Sequence, residues 1–279
     1  MAEGVKLPTA GPLPGGHHDC TGCTLRQDDW KTGPMLTVFV FLSFIVYSTW
    51  AAFQGEHYFV HNYLSPFYSP CAFTDAARAG SVPVAHAWFG AKPSWYPAFL
   101  PFSPAFFILI FPGAFRFTCY YYRKAYYRSF WANPVGCAVV PFRKGLYKGE
   151  TSLLLFQNLH RYALYFAIIF IGILYHDAYR GFFSPSGKLG IGVGSIVLTL
   201  NATFLACYTF GCHSFRHLIG GRLNWFSESP VGHGFWKGAT FLNERHMQFA
   251  WLSLIWVGLT DAYVRCVSMG LIHDLNTWG

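Results

Sequence analysis

Cysteine and histidine carry most of the chemical potential of this sequence, with 8 Cys and 12 His in 279 residues. Cys119, His160, Cys207 and His246 lie in four separate apolar stretches. Counted at the rise of a helix from one end of each stretch, their depths agree. His160 lies about 24 Å from His176, His246 about 22 Å from Asp261, Cys207 about 28 Å from Lys188 and Cys119 about 22 Å from Pro104. Two Cys and two His in one layer are the ligand set of a Rieske-type [2Fe-2S] centre, where two His replace two Cys on one iron. Cys212, about 7 Å beyond Cys207 and on another helix face, is the reserve thiol. His160 and His246 are also placed to hold one haem b iron from opposite sides. A reading without metal stays open, because a single Cys in a helix is ordinarily apolar filling and a single His an interhelical hydrogen-bonding group.

Polar residues gather around the layer. Arg116 lies one turn from Cys119, Arg161 adjoins His160, and Glu244 and Arg245 adjoin His246. His213 and His217 follow the fourth stretch, with Trp225 in the loop beyond. A quinone needs an apolar channel for its tail, donors for two carbonyls and titratable groups for two protons, and these seven residues supply the polar part. His17, His18, Cys20 and Cys23 put four ligand types in seven residues, but one C-x-x-C without a second pair is a poor zinc signature. The H-x-x-x-H spacings His57/His61 and His213/His217 suggest a membrane di-iron hydroxylase or desaturase. Such enzymes need a larger set of His on one side.

The elements that position these groups follow from composition. Only 11% of residues are charged, 53% are hydrophobic and 20% aromatic, with a mean hydropathy of +0.29. Soluble domains carry about 25% charge, so the bilayer is the expected solvent. Abundant aromatics exclude disorder. Five apolar stretches approach the length that crosses a hydrocarbon core, at about residues 32–56, 97–122, 151–176, 189–213 and 238–263. The fold expected is all-α, an integral membrane bundle of five transmembrane helices. Twelve Lys and Arg fall on the side of the N-terminus and five (Arg78, Lys92, Arg180, Lys188, Arg265) on the other, which predicts a cytoplasmic N-terminus. This bias accounts for most of the net charge of +8 and removes the case for nucleic acid. Residues 1–31 read as a cytoplasmic arm without the apolar core of a signal peptide, 57–93 as a structured cap, and 266–279 as a tail on the outer side. Without internal repeats or paired broken helices, a transporter is disfavoured.

With the spans and residues in place, the chain resembles the membrane-anchor subunit of succinate dehydrogenase/fumarate reductase (respiratory complex II), of the single-polypeptide, five-helix, cytochrome b type and of actinobacterial kind. The segments RFTCYYYRKAYYRSFW, NLHRYALYFAIIF and NERHMQFAW carry the likeness, which covers roughly residues 30–265. It implies a subunit of the plasma membrane, bathed in lipid, that holds a flavoprotein and an iron–sulfur subunit at the cytoplasmic face. Electrons from succinate, in a step of the tricarboxylic acid cycle, would pass to menaquinone and the respiratory chain; no activity is expected from the subunit alone. A higher oligomer of the complex is compatible with the resemblance. Anchors of this type usually carry two haems b with His ligands on the first, second, fourth and fifth helices. Here His246 matches the fifth, the second offers Cys119, the fourth has no His in mid-span, and the first has only His57 and His61 at its outer end. A Cys/His centre is therefore expected in preference to haem. The runner-up is a cytochrome b-like anchor of another quinone-linked oxidoreductase.

Overall fold

The computed structural model describes residues 22–142, 153–221 and 224–278. It divides into two compact units, residues 22–39 with 124–142 and residues 40–123 with the described residues from 153 onward.

Nine α-helices stand among the described residues: α1 Thr32–Gln54, α2 Ala105–Ile108, α3 Ile110–Thr118, α4 Tyr120–Ala125, α5 Leu153–Arg180, α6 Val193–Phe210, α7 His213–Gly220, α8 Pro230–Glu244 and α9 His246–Ser268. Four of them, α1, α5, α6 and α9, are long and apolar enough to cross a membrane. The stretch expected as a second continuous span carries α2, α3 and α4: the backbone stays helical through Leu109, φ −65 and ψ −16, and turns extended at Cys119. The expected fifth stretch is also divided: Arg245, outside helical geometry at φ −107 and ψ 13, separates α8 from α9, so the long helix starts at His246.

In the larger unit α5 packs on α3 and α6, and α6 packs on α9. Tyr47 of α1 reaches α9 by donating to Asp261 Oδ2 at 2.6 Å. Burial separates the roles of the long helices. α9 buries Ala250, Ser253, Leu254, Val257, Thr260, Asp261 and Val264, whereas α5 exposes Leu154, Tyr162, Tyr165, Phe166 and Ile169, as a lipid-facing helix does.

Beyond α1 comes the segment read as a cap, which is folded. A short antiparallel hairpin, β1 Phe59–Val60 with β2 Tyr63–Leu64, opens it. α1 stops at Gly55, whose φ of +64 and close approach to the Phe102 carbonyl oxygen, 2.6 Å from where a Cβ would stand, admit only glycine. Inside the cap Tyr58 stacks on Tyr68 at 4.2 Å, and Tyr68 donates to the Ala51 carbonyl at 2.6 Å. The tail closes on this end, with Asp274 accepting from Tyr63, Tyr263 and the Gly194 amide.

In the smaller unit the segment after the arm pairs with residues 137–140: Gly22 and Val140 bond through the backbone, and Thr24 donates to the Ala138 carbonyl at 2.7 Å. His17, His18 and Cys20 lie outside the described residues, while Cys23 is held in a disulfide.

Candidate metal centre

Three of the four ligand-type residues stand where a helix stops. Cys119 ends α3 in an extended conformation, φ −64 and ψ 128, its amide held by the Arg116 carbonyl at 3.2 Å. Cys212 lies between α6 and α7, extended at φ −65 and ψ 141, and caps α7 by accepting the Ser214 amide on its sulfur. His246 opens α9. Only His160 sits inside a helix, α5. Irregular backbone at membrane depth is tolerated where protein buries it, and all four side chains are buried. The break before Cys212 is set locally by Gly211. A Cβ there would stand 2.9 Å from the Leu242 carbonyl oxygen, and Asn243 of α8 donates to the Gly211 carbonyl at 2.7 Å.

The donors meet in two mixed pairs. Cys212 Sγ lies 3.0 Å from His160 Nε2, and Cys119 Sγ 3.8 Å from His246 Nε2. The Thr118 hydroxyl donates to the Ala114 carbonyl at 2.7 Å and so accepts from His160 Nδ1 at 3.0 Å. That fixes the His160 tautomer: Nδ1 carries the proton, and the Nε2 lone pair faces the Cys212 sulfur. His246 Nδ1 is buried without a hydrogen-bond partner. Phe115 stacks on His160 at 4.6 Å, Tyr208 stacks on His246 at 5.0 Å, and the two aromatic rings meet at 5.4 Å.

Among the described residues no three His, Cys, Asp or Glu side chains converge as one metal ion would require. Two separate pairs suit a two-iron cluster instead, since each iron takes two protein donors. The ligand set is that of the Rieske type, although in that type both His share one iron and here each pair is mixed. Each Nε2 faces a thiol rather than the other imidazole, which favours a cluster over an iron clamped between the two His.

Arginine side chains stand by the pairs, Arg116 and the buried Arg123, whose amide donates to the Cys119 carbonyl at 3.0 Å. Arg116 bonds the Tyr122 hydroxyl, the Ala250 carbonyl at 3.3 Å and Ser253 Oγ at 3.0 Å, and lies over the Tyr208 ring at 5.0 Å. Among the described residues all its hydrogen-bond acceptors are neutral oxygens, so its charge is available to offset thiolates. It also lines a cavity of about 210 Å³ walled by Phe44, Leu109, Phe170, Leu205 and Val257.

The other expected residues do not gather. Cys207 is half-exposed on α6, so the thiol that meets His160 is Cys212. Arg161, His213, His217, Trp225, Glu244 and Arg245 are exposed. His57 and His61 sit in the cap, His57 Nδ1 beside Ser268 Oγ at 3.3 Å and His61 against Tyr63 and Trp278. Thr118, Phe115 and Tyr208 have no motif to announce them. The available signal was adjacency, Thr118 preceding Cys119 and Tyr208 following Cys207.

Residues 32–270 match the family profile described as actinobacterial succinate dehydrogenase subunit SdhC. The chain belongs to this family. It is similar to a chain of the Mycobacterium smegmatis Sdh1 complex in the apo form, with 42% identity over 100% of both chains and a TM-score of 0.81. No curated protein matches it. As an SdhC subunit the chain is a multi-pass membrane component of a succinate dehydrogenase complex, and other subunits of that complex are its partners.

Proposed function

We propose that this SdhC chain holds a Rieske-type [2Fe-2S] centre on Cys119, His160, Cys212 and His246, and passes electrons from succinate to menaquinone. The observation that carries the reading is the two buried Cys–His contacts, Cys212 after α6 with His160 of α5 and Cys119 after α3 with His246 at the start of α9. When bound, the cluster supplies one-electron transfer inside the membrane. The chain's own residues do the rest. Thr118 holds the His160 ring with its lone pair toward the site, the helix breaks present both thiols, and Arg116 offsets their charge. Burial by Phe115 and Tyr208 excludes water.

In this reading the segment containing α2 to α4 completes five membrane crossings with the N-terminus cytoplasmic, in the plasma membrane. The exposed residues Arg161, His213, His217, Trp225, Glu244 and Arg245 then lie at the face where flavoprotein and iron–sulfur subunits dock, and those partners complete the quinone site. Haem b on the two His is the weaker reading, because each Nε2 faces a thiol.

The test is iron content and paramagnetic resonance of the purified complex. Cys119→Ala and Cys212→Ala are expected each to lose two irons per complex and the associated signal, while Cys207→Ala keeps both. Retention of the signal in Cys212→Ala would sink the ligand assignment.

A further inference from the structure

A cavity of about 610 Å³ lies between α5 and the cap segment, within the usual size of a small-ligand pocket, about 300–1,000 Å³. On the α5 side it is lined by Ile169, Gly172, Ile173, His176, Asp177 and Arg180. Positions recurring every three or four residues form one stripe along a helix, here about 16 Å long at the rise per residue. The stripe is ordered by polarity, apolar over its first turn and ionisable over its last. Ile169 is 58% exposed, so the apolar end belongs to the lipid-facing side of α5. At Gly172 a Cβ would meet nothing within 4 Å, which leaves a groove leading into the cavity. Across from the stripe stands Trp88, 61% exposed, and tryptophan at a membrane interface sits at headgroup level.

At the polar end a carboxylate and a cation sit three residues apart, which sets their Cβ atoms about 5–6 Å from one another. Asp177 is mostly enclosed: Ser69 donates to its Oδ2, and His176 Nδ1 lies 3.5 Å from its Oδ1. Arg180 is exposed, and among the described residues its guanidinium holds no hydrogen bond and no ion pair. Opposite charges one turn apart at the end of an apolar groove are complementary to a phospholipid whose phosphate is followed, two carbons on, by a primary ammonium. We infer that this cavity binds one such zwitterionic phospholipid of the leaflet at the cap end, with its phosphate on Arg180, its ammonium on Asp177 and an acyl chain along Ile169, Gly172 and Ile173. A guanidinium takes a phosphate through two parallel N–H bonds. A primary ammonium donates to a carboxylate, which a trimethylated one, lacking N–H, does not. A neutral quinone ring would leave both charges uncompensated, and about 24 Å of α5 separates His176 from His160, so the cavity is distinct from the proposed redox centre.

The test uses the complete complex, stripped of lipid and moved into nanodiscs of equimolar phosphatidylethanolamine, phosphatidylcholine and phosphatidylglycerol with identical chains. Lipids that survive transfer to detergent are then counted by native mass spectrometry. The wild-type complex is expected to retain one phosphatidylethanolamine per copy of this chain. Arg180→Gln should lower that retention about tenfold, as the loss of one charge-assisted contact would. Gly172→Leu, which fills the groove and leaves both charges in place, should lower it to a similar extent. Asp177→Asn is expected to keep a bound lipid but to lose the preference for phosphatidylethanolamine over phosphatidylcholine. Arg180→Lys should recover part of the retention, which a collapsed fold would not, and Lys188→Gln, an exposed cation outside the cavity lining, should change nothing. Equal retention of the three lipids by the wild type overturns the inference, as does retention unchanged in both Arg180→Gln and Gly172→Leu, or a quinone retained in the lipid's place.

Discussion

His160 and His246 differ in what the second ring nitrogen does. His160 Nδ1 is committed to Thr118, and through that hydroxyl to the Ala114 carbonyl, whereas His246 Nδ1 has no partner. Partners of this outer kind orient a ligand ring and fix its tautomer. Thr118→Val should therefore leave a buried N–H unsatisfied, at a cost of about 1–3 kcal/mol. The expected outcome is a lower thermal midpoint of the complex and a cluster signal altered in shape, with Thr118→Ser restoring both. Cys119, His160 and His246 were legible from residue type and depth. Cys212 was legible only as a reserve, because counting along an ideal helix carried the choice to Cys207, one turn short of the break that turns Cys212 inward. Tyr208 was not legible. One tyrosine among 17 has no spacing to mark it, and its stack on His246 exists only after folding.

Helix ends rather than helix faces build the site. Hydropathy finds α1, α5, α6 and α9 because a membrane crossing is a matter of length and apolar content, but it is blind to backbone breaks at Cys119, Cys212 and Arg245. Those breaks come from local geometry, such as the close approach of Leu242 and Asn243 to Gly211. At the cap end, a buried ion pair within α9, Asp261 with Arg265, receives Tyr47 of α1 on its carboxylate. Asp261 accepts from Tyr47, Ser65 and Arg265 Nε at 3.4 Å, and Arg265 also donates to the Glu56 carbonyl at 2.8 Å. Both charged side chains are buried, 0% and 4% exposed. Removing one partner strands the other charge, so Asp261→Asn is expected to lower stability by about 3–5 kcal/mol. Differential scanning of the detergent-purified complex measures this, and an unchanged transition would show that the pair and the Tyr47 bond to it do not hold this end of the bundle.

At the scale of the whole molecule, the low charge content and the asymmetry of Lys and Arg gave the membrane class and an orientation before any contact was known. In the proposed orientation, with the N-terminus cytoplasmic, the exposed Lys188 is expected to face outward. A cysteine placed there by Lys188→Cys should react with a membrane-impermeant maleimide in intact cells, and reaction only after membrane disruption would reverse the topology. Cys71 in the cap should stay unlabelled at pH 8, because burial pushes its thiol from 9.0 up to about 12. Between those values the unfolded chain releases this proton while the folded cap retains it, so the contribution of Cys71 to stability falls as pH rises through that window. The claim on which the account turns is a cluster ligated by two imidazoles within this subunit. Electron spin echo modulation of the reduced complex reads it most directly: couplings to two directly bound histidine nitrogens are predicted, one lost in His160→Cys and the other in His246→Cys. A complex whose iron–sulfur signals carry no directly bound nitrogen would contradict it.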